Sequence, residues 1–97
     1  MIHARKITKA VVVGLGNIAL RHRRNLKLLF PEVLVIAVPA SGRISNQNVE
    51  FADQIILTLE DAIKEKIDVA IVASPAPFHL IHAKLLLFAG IPSLIEK

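Results

Sequence analysis

The chain has 97 residues, enough for one domain with one buried core, and its net charge of +4 is uneven: eight Lys or Arg against the single acid Glu32 make residues 1–43 +7 and leave the rest at −3. Hydrophobic residues make up 54% of it, yet charges interrupt every apolar run before the roughly 18 residues of a membrane span, which excludes a spanning helix. The lack of cysteine excludes disulfide frameworks and thiolate metal sites or nucleophiles, and the basic start at residues 1–6 leads only into a short glycine-ended run, unlike a signal peptide, so a cytoplasmic protein with no membrane partner is expected.

Residues 10–13 form a continuous apolar run, β-branched from Val11 on, into Gly14, the pattern of a parallel strand buried on both faces. From Asn17 to about Phe30, Ile18, Leu20, Leu26, Leu28 and Leu29 mix with a basic face until Pro31 ends the helix. Residues 33–38 are a second unbroken apolar strand, closed by Pro39-Ala40-Ser41-Gly42. Residues 43–53 are polar and weakly periodic and read as a loop or short irregular helix. A short strand is expected at 55–57, then a helix over 59–66 with Thr58 as N-cap, acids early and lysines late. Residues 68–73 give another buried strand. Pro77 opens a helix that runs to Ala89 and stops at Gly90, and residues 91–95 are the last strand despite Pro92. Apolar strands alternating with helices predict a doubly wound α/β domain of about five parallel strands covering residues 1–97.

Gly14-x-Gly16-x-x-Ala19 follows a strand and opens a helix. Gly14 permits the tight turn, Gly16 lets the backbone approach a pyrophosphate, and Ala19 is the small residue where helix packs on strand. Asn17 and Ile18 begin the helix whose unpaired N–H groups favour phosphates. The alternative is a plain tight turn with no ligand. An acid at the end of strand two would hold ribose hydroxyls, but Glu32 precedes that strand and sits at its wrong end. Ser41 and Arg43 instead suit a 2′-phosphate, which puts NADP ahead of NAD as cofactor while keeping both open; otherwise Arg43 is a solvated loop cation.

The basic half could attract nucleic acid, but with four Phe and no Trp or Tyr it offers little for base stacking. Arg21 to Lys27 read better as a solvated helix face with a phosphate-attracting rim, and no nucleic-acid partner is expected. The four histidines have no supporting acid or cysteine at ligand spacing, so no metal is expected. His79 and His82 read as packing or helix-surface residues more readily than catalytic ones, and His22 either caps or packs within its helix or touches a bound group.

Four stretches together resemble the Gfo/Idh/MocA oxidoreductase family. They are the turn from Gly14 to His22, the strand and loop from Asp68 to Pro75, the proline-to-histidine run from Pro75 to His79, and Ala89 to Lys97, similar to a strand running into Glu-Lys-Pro. The resemblance spans residues 10–97 in order. It implies an NAD(P)-binding Rossmann domain of an oxidoreductase, with hydride passing between a nicotinamide and a sugar-like hydroxyl or carbonyl. It also implies roles: Lys97 beside nicotinamide and substrate as the catalytic residue, Glu96 as its neighbour near the cofactor, Ser74 and Pro75 along the cofactor, and His79 opening the helix behind it. The family's substrate floor is a second domain, which these residues do not contain. The isolated chain is therefore expected to bind dinucleotide weakly, to turn over no substrate, and to self-associate through uncovered apolar surface. The rival expectation is a non-catalytic nucleotide-binding or redox-sensing module, which needs the glycine turn but not Lys97.

Overall fold

Unbroken apolar runs become the middle of a parallel sheet. The computed structural model describes residues 7–43 and 48–96. It runs β1 (Lys9–Val13), α1 (Asn17–Leu29), β2 (Leu34–Val38), β3 (Gln54–Ile55), α2 (Leu59–Ile63), β4 (Val69–Val72), a single 3₁₀ turn (Ala76–Phe78), α3 (His79–Phe88) and β5 (Ser93–Ile95). All neighbouring strands pair in parallel, in the order β3-β2-β1-β4-β5.

Side chains alternate across the strands, so each run feeds two cores. Val11, Val13, Ile36, Val38 and Val72 face Leu59 and Ala62 of α2 and Leu86 of α3. Ala10, Val12, Val35 and Ile71 face Ala19 and Leu26 of α1. This two-sided burial is why the strands show no polar alternation, and each fully buried valine or leucine contributes about 1.5–3 kcal/mol. The doubly wound α/β architecture expected from the sequence is the one observed.

The peripheral elements differ from expectation, each for a local reason. β3 is two residues long and ends before Ile56, whose N–H still donates to the Ala37 carbonyl at 3.0 Å. α2 is shorter than 59–66: Thr58 caps it by accepting from the Asp61 N–H at 3.2 Å, but Lys64 to Lys66 form a turn. Lys66 takes a left-handed φ of 59° there, reversing the chain so that Ile67 can bury. β5 starts at Ser93 because Pro92 has no N–H; its carbonyl still accepts from Ala70 at 3.0 Å. Of the polar stretch 43–53, residues 44–47 lie outside the description, and 48–53 form turns without a helix. Asp53 closes that stretch onto β2, donating its N–H to the Val35 carbonyl and accepting from the Val35 N–H, both at 2.8 Å.

α3 buries only His82 and Leu86, leaving Leu80, Ile81, Leu87 and Phe88 exposed, and β5 is an exposed edge strand. No helix among the described residues is long and apolar enough to cross a membrane.

Candidate functional site: a cleft at the carboxyl ends of β1, β4 and β5

Gly14 and Gly16 play different parts, which the structure separates. Gly14 has φ +116°, and a Cβ there would lie 2.7 Å from the Ala73 carbonyl oxygen. Its N–H donates to the Val38 carbonyl at 2.7 Å, so the turn is locked between β2 and β4. Gly14 is thus a requirement of the fold. Gly16 has an ordinary extended conformation, φ −77° and ψ −171°, and a Cβ on it would meet nothing within 4 Å. No described residue demands glycine there. The empty space beside it belongs to a cleft of about 410 Å³ lined by Gly16, Asn17, Ile18, Ser74, Pro75, His79 and Glu96, with Ala73 and Ala76.

The same edge presents a helix start without a capping partner. Gly16 offers no capping side chain, and the first turn of α1 carries no acid. Its first N–H groups therefore retain hydrogen-bonding capacity and partial positive charge at the cleft, which suits a phosphate. A dinucleotide fits these residues: the backbone can approach at Gly16, and anion-binding groups follow at Asn17 and Ile18.

On the other wall, β4 delivers Ser74, which is 5% exposed. Its hydroxyl shares a 2.9 Å hydrogen bond with Nδ1 of His82, and its carbonyl accepts from Nε2 of His79 at 2.5 Å. His79 at the first position of α3 and His82 one turn on thus hold the Ser74 loop from behind. His82 also stacks on Phe78, ring centres 5.9 Å apart and 12° between planes. At the third side, Glu96 follows β5 and its Oε2 lies 2.7 Å from Nε2 of His22 on α1. That contact joins the first helix to the last strand across the mouth of the cleft, with His22 buried more deeply than Glu96.

Seven of the residues expected at a cofactor site therefore line one cleft. Two others do not face it: Gly14 lies buried beneath the turn, and Ala19 packs at 0% exposure between α1 and the sheet. Ser41 lines a second cavity of about 200 Å³ with Gly42, Thr58, Glu60, Phe78, Ile81 and His82, at the end of β2. Arg43 is exposed just beyond it, and Glu32 sits in the turn before β2, at the opposite end of the sheet. Lys97 lies outside the described residues.

The basic face of α1 needs correction. Arg23 is 3% exposed and belongs to no solvated face: Ala19, Arg23 and Leu26 fall at i, i+4 and i+7 on the inward side. Its Nε donates to the Glu50 carbonyl at 2.8 Å and its Nη1 reaches the Gly14 carbonyl at 3.5 Å, so it braces the glycine turn from behind. Burial pushes its pKa down, partly offset by the charge of Glu50. Lys27 is also engaged, donating to the Val33 carbonyl at 2.7 Å and to the Asp53 carboxylate. His22, His82 and Arg23 acquire their roles from partners distant in sequence, which composition and periodicity do not register.

Burial pushes the His82 pKa down, helped by the charge of His79 and opposed by Glu60. At Asp53, desolvation acts upward, but the Lys27 and Val35 hydrogen bonds and the Lys27 charge together hold the carboxyl below the usual carboxylate range. Both groups bind protons less readily folded than unfolded, so both contribute stability that is lost as pH falls. For His82 the loss begins near the ordinary histidine value of about 6.5, and for Asp53 below about 4. Thermal melting should therefore fall between about pH 7 and pH 5, and fall less in His82→Asn, which removes the titrating ring. Equal pH slopes in the two proteins would contradict this account.

The fold and the cleft define a dinucleotide-binding α/β domain. A family model described as "Oxidoreductase family, NAD-binding Rossmann fold" matches residues 8–97, and the chain belongs to this Gfo/Idh/MocA family. Among solved structures, GenD2 from gentamicin A biosynthesis, in complex with NAD, is 26% identical with a TM-score of 0.75, the alignment covering 99% of this chain and 28% of that one. UDP-N-acetylglucosamine 3-dehydrogenase GnnA from Acidithiobacillus ferrooxidans is 20% identical, with a TM-score of 0.71 and coverage of 100% and 30%. RSP, a Rex-family repressor, is 20% identical with a TM-score of 0.71, covering 89% of this chain and 43% of that one, and has also been solved with β-NADH. The chain thus spans less than half the length of these proteins. No curated protein sequence matches it.

Proposed function

We propose that this domain holds NAD(P) for an oxidoreductase that transfers hydride between the nicotinamide and a hydroxyl or carbonyl of a sugar-like substrate. The observation that carries the reading is Gly16: a glycine unexplained by the fold, open to a cleft where α1 begins with no acid in its first turn. The pyrophosphate is bound by the N–H groups at Gly16 to Ile18, and the nicotinamide side follows the wall made by Ser74, Pro75 and His79 towards Glu96. When bound, the cofactor supplies the hydride donor or acceptor. The chain's own part is to orient it, with His22 steadying Glu96 and His79 steadying the Ser74 carbonyl. Lys97 follows Glu96 directly and is proposed to polarise the reacting oxygen, by the resemblance of this segment to the family's Glu-Lys-Pro. The name of GnnA, a UDP-N-acetylglucosamine 3-dehydrogenase, supports a sugar substrate.

The adenosine end extends to the second cavity, at the end of β2. β2 itself ends without an acid, the acid lining the cavity being Glu60 on α2, and with Ser41 and exposed Arg43 at the end of that strand NADP is the preferred form. A titration of the chain with each cofactor tests this: NADPH should bind more tightly than NADH, and Arg43→Ala should weaken NADPH about tenfold while leaving NADH unchanged, a loss of ~1.4 kcal/mol. NADH binding more tightly than NADPH would reverse the assignment. The second reading, a redox-sensing module, is supported by the likeness to the NADH-bound Rex-family repressor, and it uses the same cleft without Lys97. A cytoplasmic setting suits a chain without cysteine.

A further inference from the structure

The cleft and the second cavity share a wall, and that wall is a hydrogen bond. Ser74 lines the cleft, His82 lines the second cavity, and the two meet through Oγ and Nδ1 at 2.9 Å. Both are more than nine-tenths buried, at 5% and 6% exposure. The other ring nitrogen of His82, Nε2, makes no hydrogen bond within the described residues. No buried side-chain nitrogen or oxygen among them is left unpaired, so Nε2 keeps some accessible surface on a residue that lines the second cavity. Stacking on Phe78 fixes the plane of the ring. A neutral imidazole carries one proton, so its two nitrogens have opposite roles.

We propose that His82 is a positioning residue that couples the two cavities: a nucleobase in the second cavity engages Nε2, and the resulting tautomer sets whether the Ser74 hydroxyl accepts or donates in the cleft. The proposal rests on the cofactor reading above. A ring nitrogen of adenine accepts a proton only from Nε2–H. Nδ1 then bears the lone pair, takes the Ser74 O–H, and leaves the Ser74 oxygen lone pairs to accept from a carboxamide or ribose donor in the cleft. An adenine amino group at Nε2 produces the reverse: Nδ1–H donates to Ser74, and the serine O–H donates into the cleft. In either case, filling one cavity prepares the other, and the coupling is reciprocal.

Two half-ligands test this on the 97-residue chain. AMP represents the adenosine side and reduced nicotinamide mononucleotide the other, and each is titrated with the second absent and then saturating. Saturating AMP should tighten the mononucleotide roughly 5-fold or more, within the usual range for coupled sites. His82→Asn keeps a hydrogen-bonding group near Nδ1 but has no reach into the second cavity, and Ser74→Ala removes the other partner. Each should bring the coupling to unity while both proteins remain folded by circular dichroism. Nitrogen-15 spectra of the His82 ring should show one tautomer selected by AMP alone. Coupling that survives His82→Asn, or a wild-type chain in which the two ligands bind independently, overturns the proposal and leaves the cofactor reading standing. Failure of intact NADH and NADPH to bind the wild-type chain overturns both.

Discussion

Gly16→Val should abolish cofactor binding while leaving the fold intact. The backbone at Gly16 lies where any L-residue can sit, and a Cβ there meets no atom of the described residues within 4 Å. Replacing a glycine at such a position also reduces the freedom of the unfolded chain, which favours folding by about 0.4–1 kcal/mol. Melting temperature should therefore be unchanged or slightly raised. The valine methyls, however, occupy the part of the cleft where the backbone must approach a pyrophosphate, and they screen the first N–H groups of α1. Affinity for NADH or NADPH should fall by about 100-fold or more, equivalent to ~2.7 kcal/mol. Calorimetry gives the affinity and a melting curve gives the stability. A loss of both would mean that Gly16 serves the fold, and retention of both would mean that the ligand does not approach there.

The mirror experiment is Gly14→Ala, where stability should collapse first. Its φ of +116° is a region that residues with a Cβ rarely adopt, and the added methyl would lie 2.7 Å from a main-chain oxygen that β4 holds in place. Backbone strain of about 1–3 kcal/mol and overpacking of similar size act together. A domain of this length typically has about 5–15 kcal/mol of stability, so the variant should melt some 15 °C or more lower, or not fold. A drop of only a few degrees would show that the turn can rearrange. Two glycines two positions apart thus separate a structural requirement from a binding one.

That separation marks what the sequence makes legible. The β1 run into Gly14, the helix ended before Pro31, and β4 are plain because each is a local pattern: period, punctuation and length agree within one segment. The same holds for the Thr58 cap. β3 is harder because two residues pairing with Ile36 and Ala37 carry almost no periodicity of their own. Arg23 misleads for another reason. Its neighbours Arg21 and Arg24 are exposed, and a cation amid cations reads as surface until the carbonyls of Glu50 and Gly14 are found beside it. His22 and Glu96 are 74 residues apart in sequence, and nothing local to either predicts the contact. Of the expected site, the half on β1, β4 and β5 converges, while Ser41 stands at a separate cavity, with Arg43 exposed beyond it, because β2 lies on the other side of β1 from β4.

Amide spectra of the nitrogen-15-labelled chain, titrated with NADPH and NADH, report whether the cleft beside Gly16 receives a dinucleotide. The largest saturable shifts should fall on the amides of Gly16, Asn17 and Ile18, with Ser74 and Glu96 following and the exposed face of α3 at Leu87 and Phe88 unmoved. Shifts confined to any other surface, or none at cofactor concentrations well above millimolar, would contradict dinucleotide binding at that cleft.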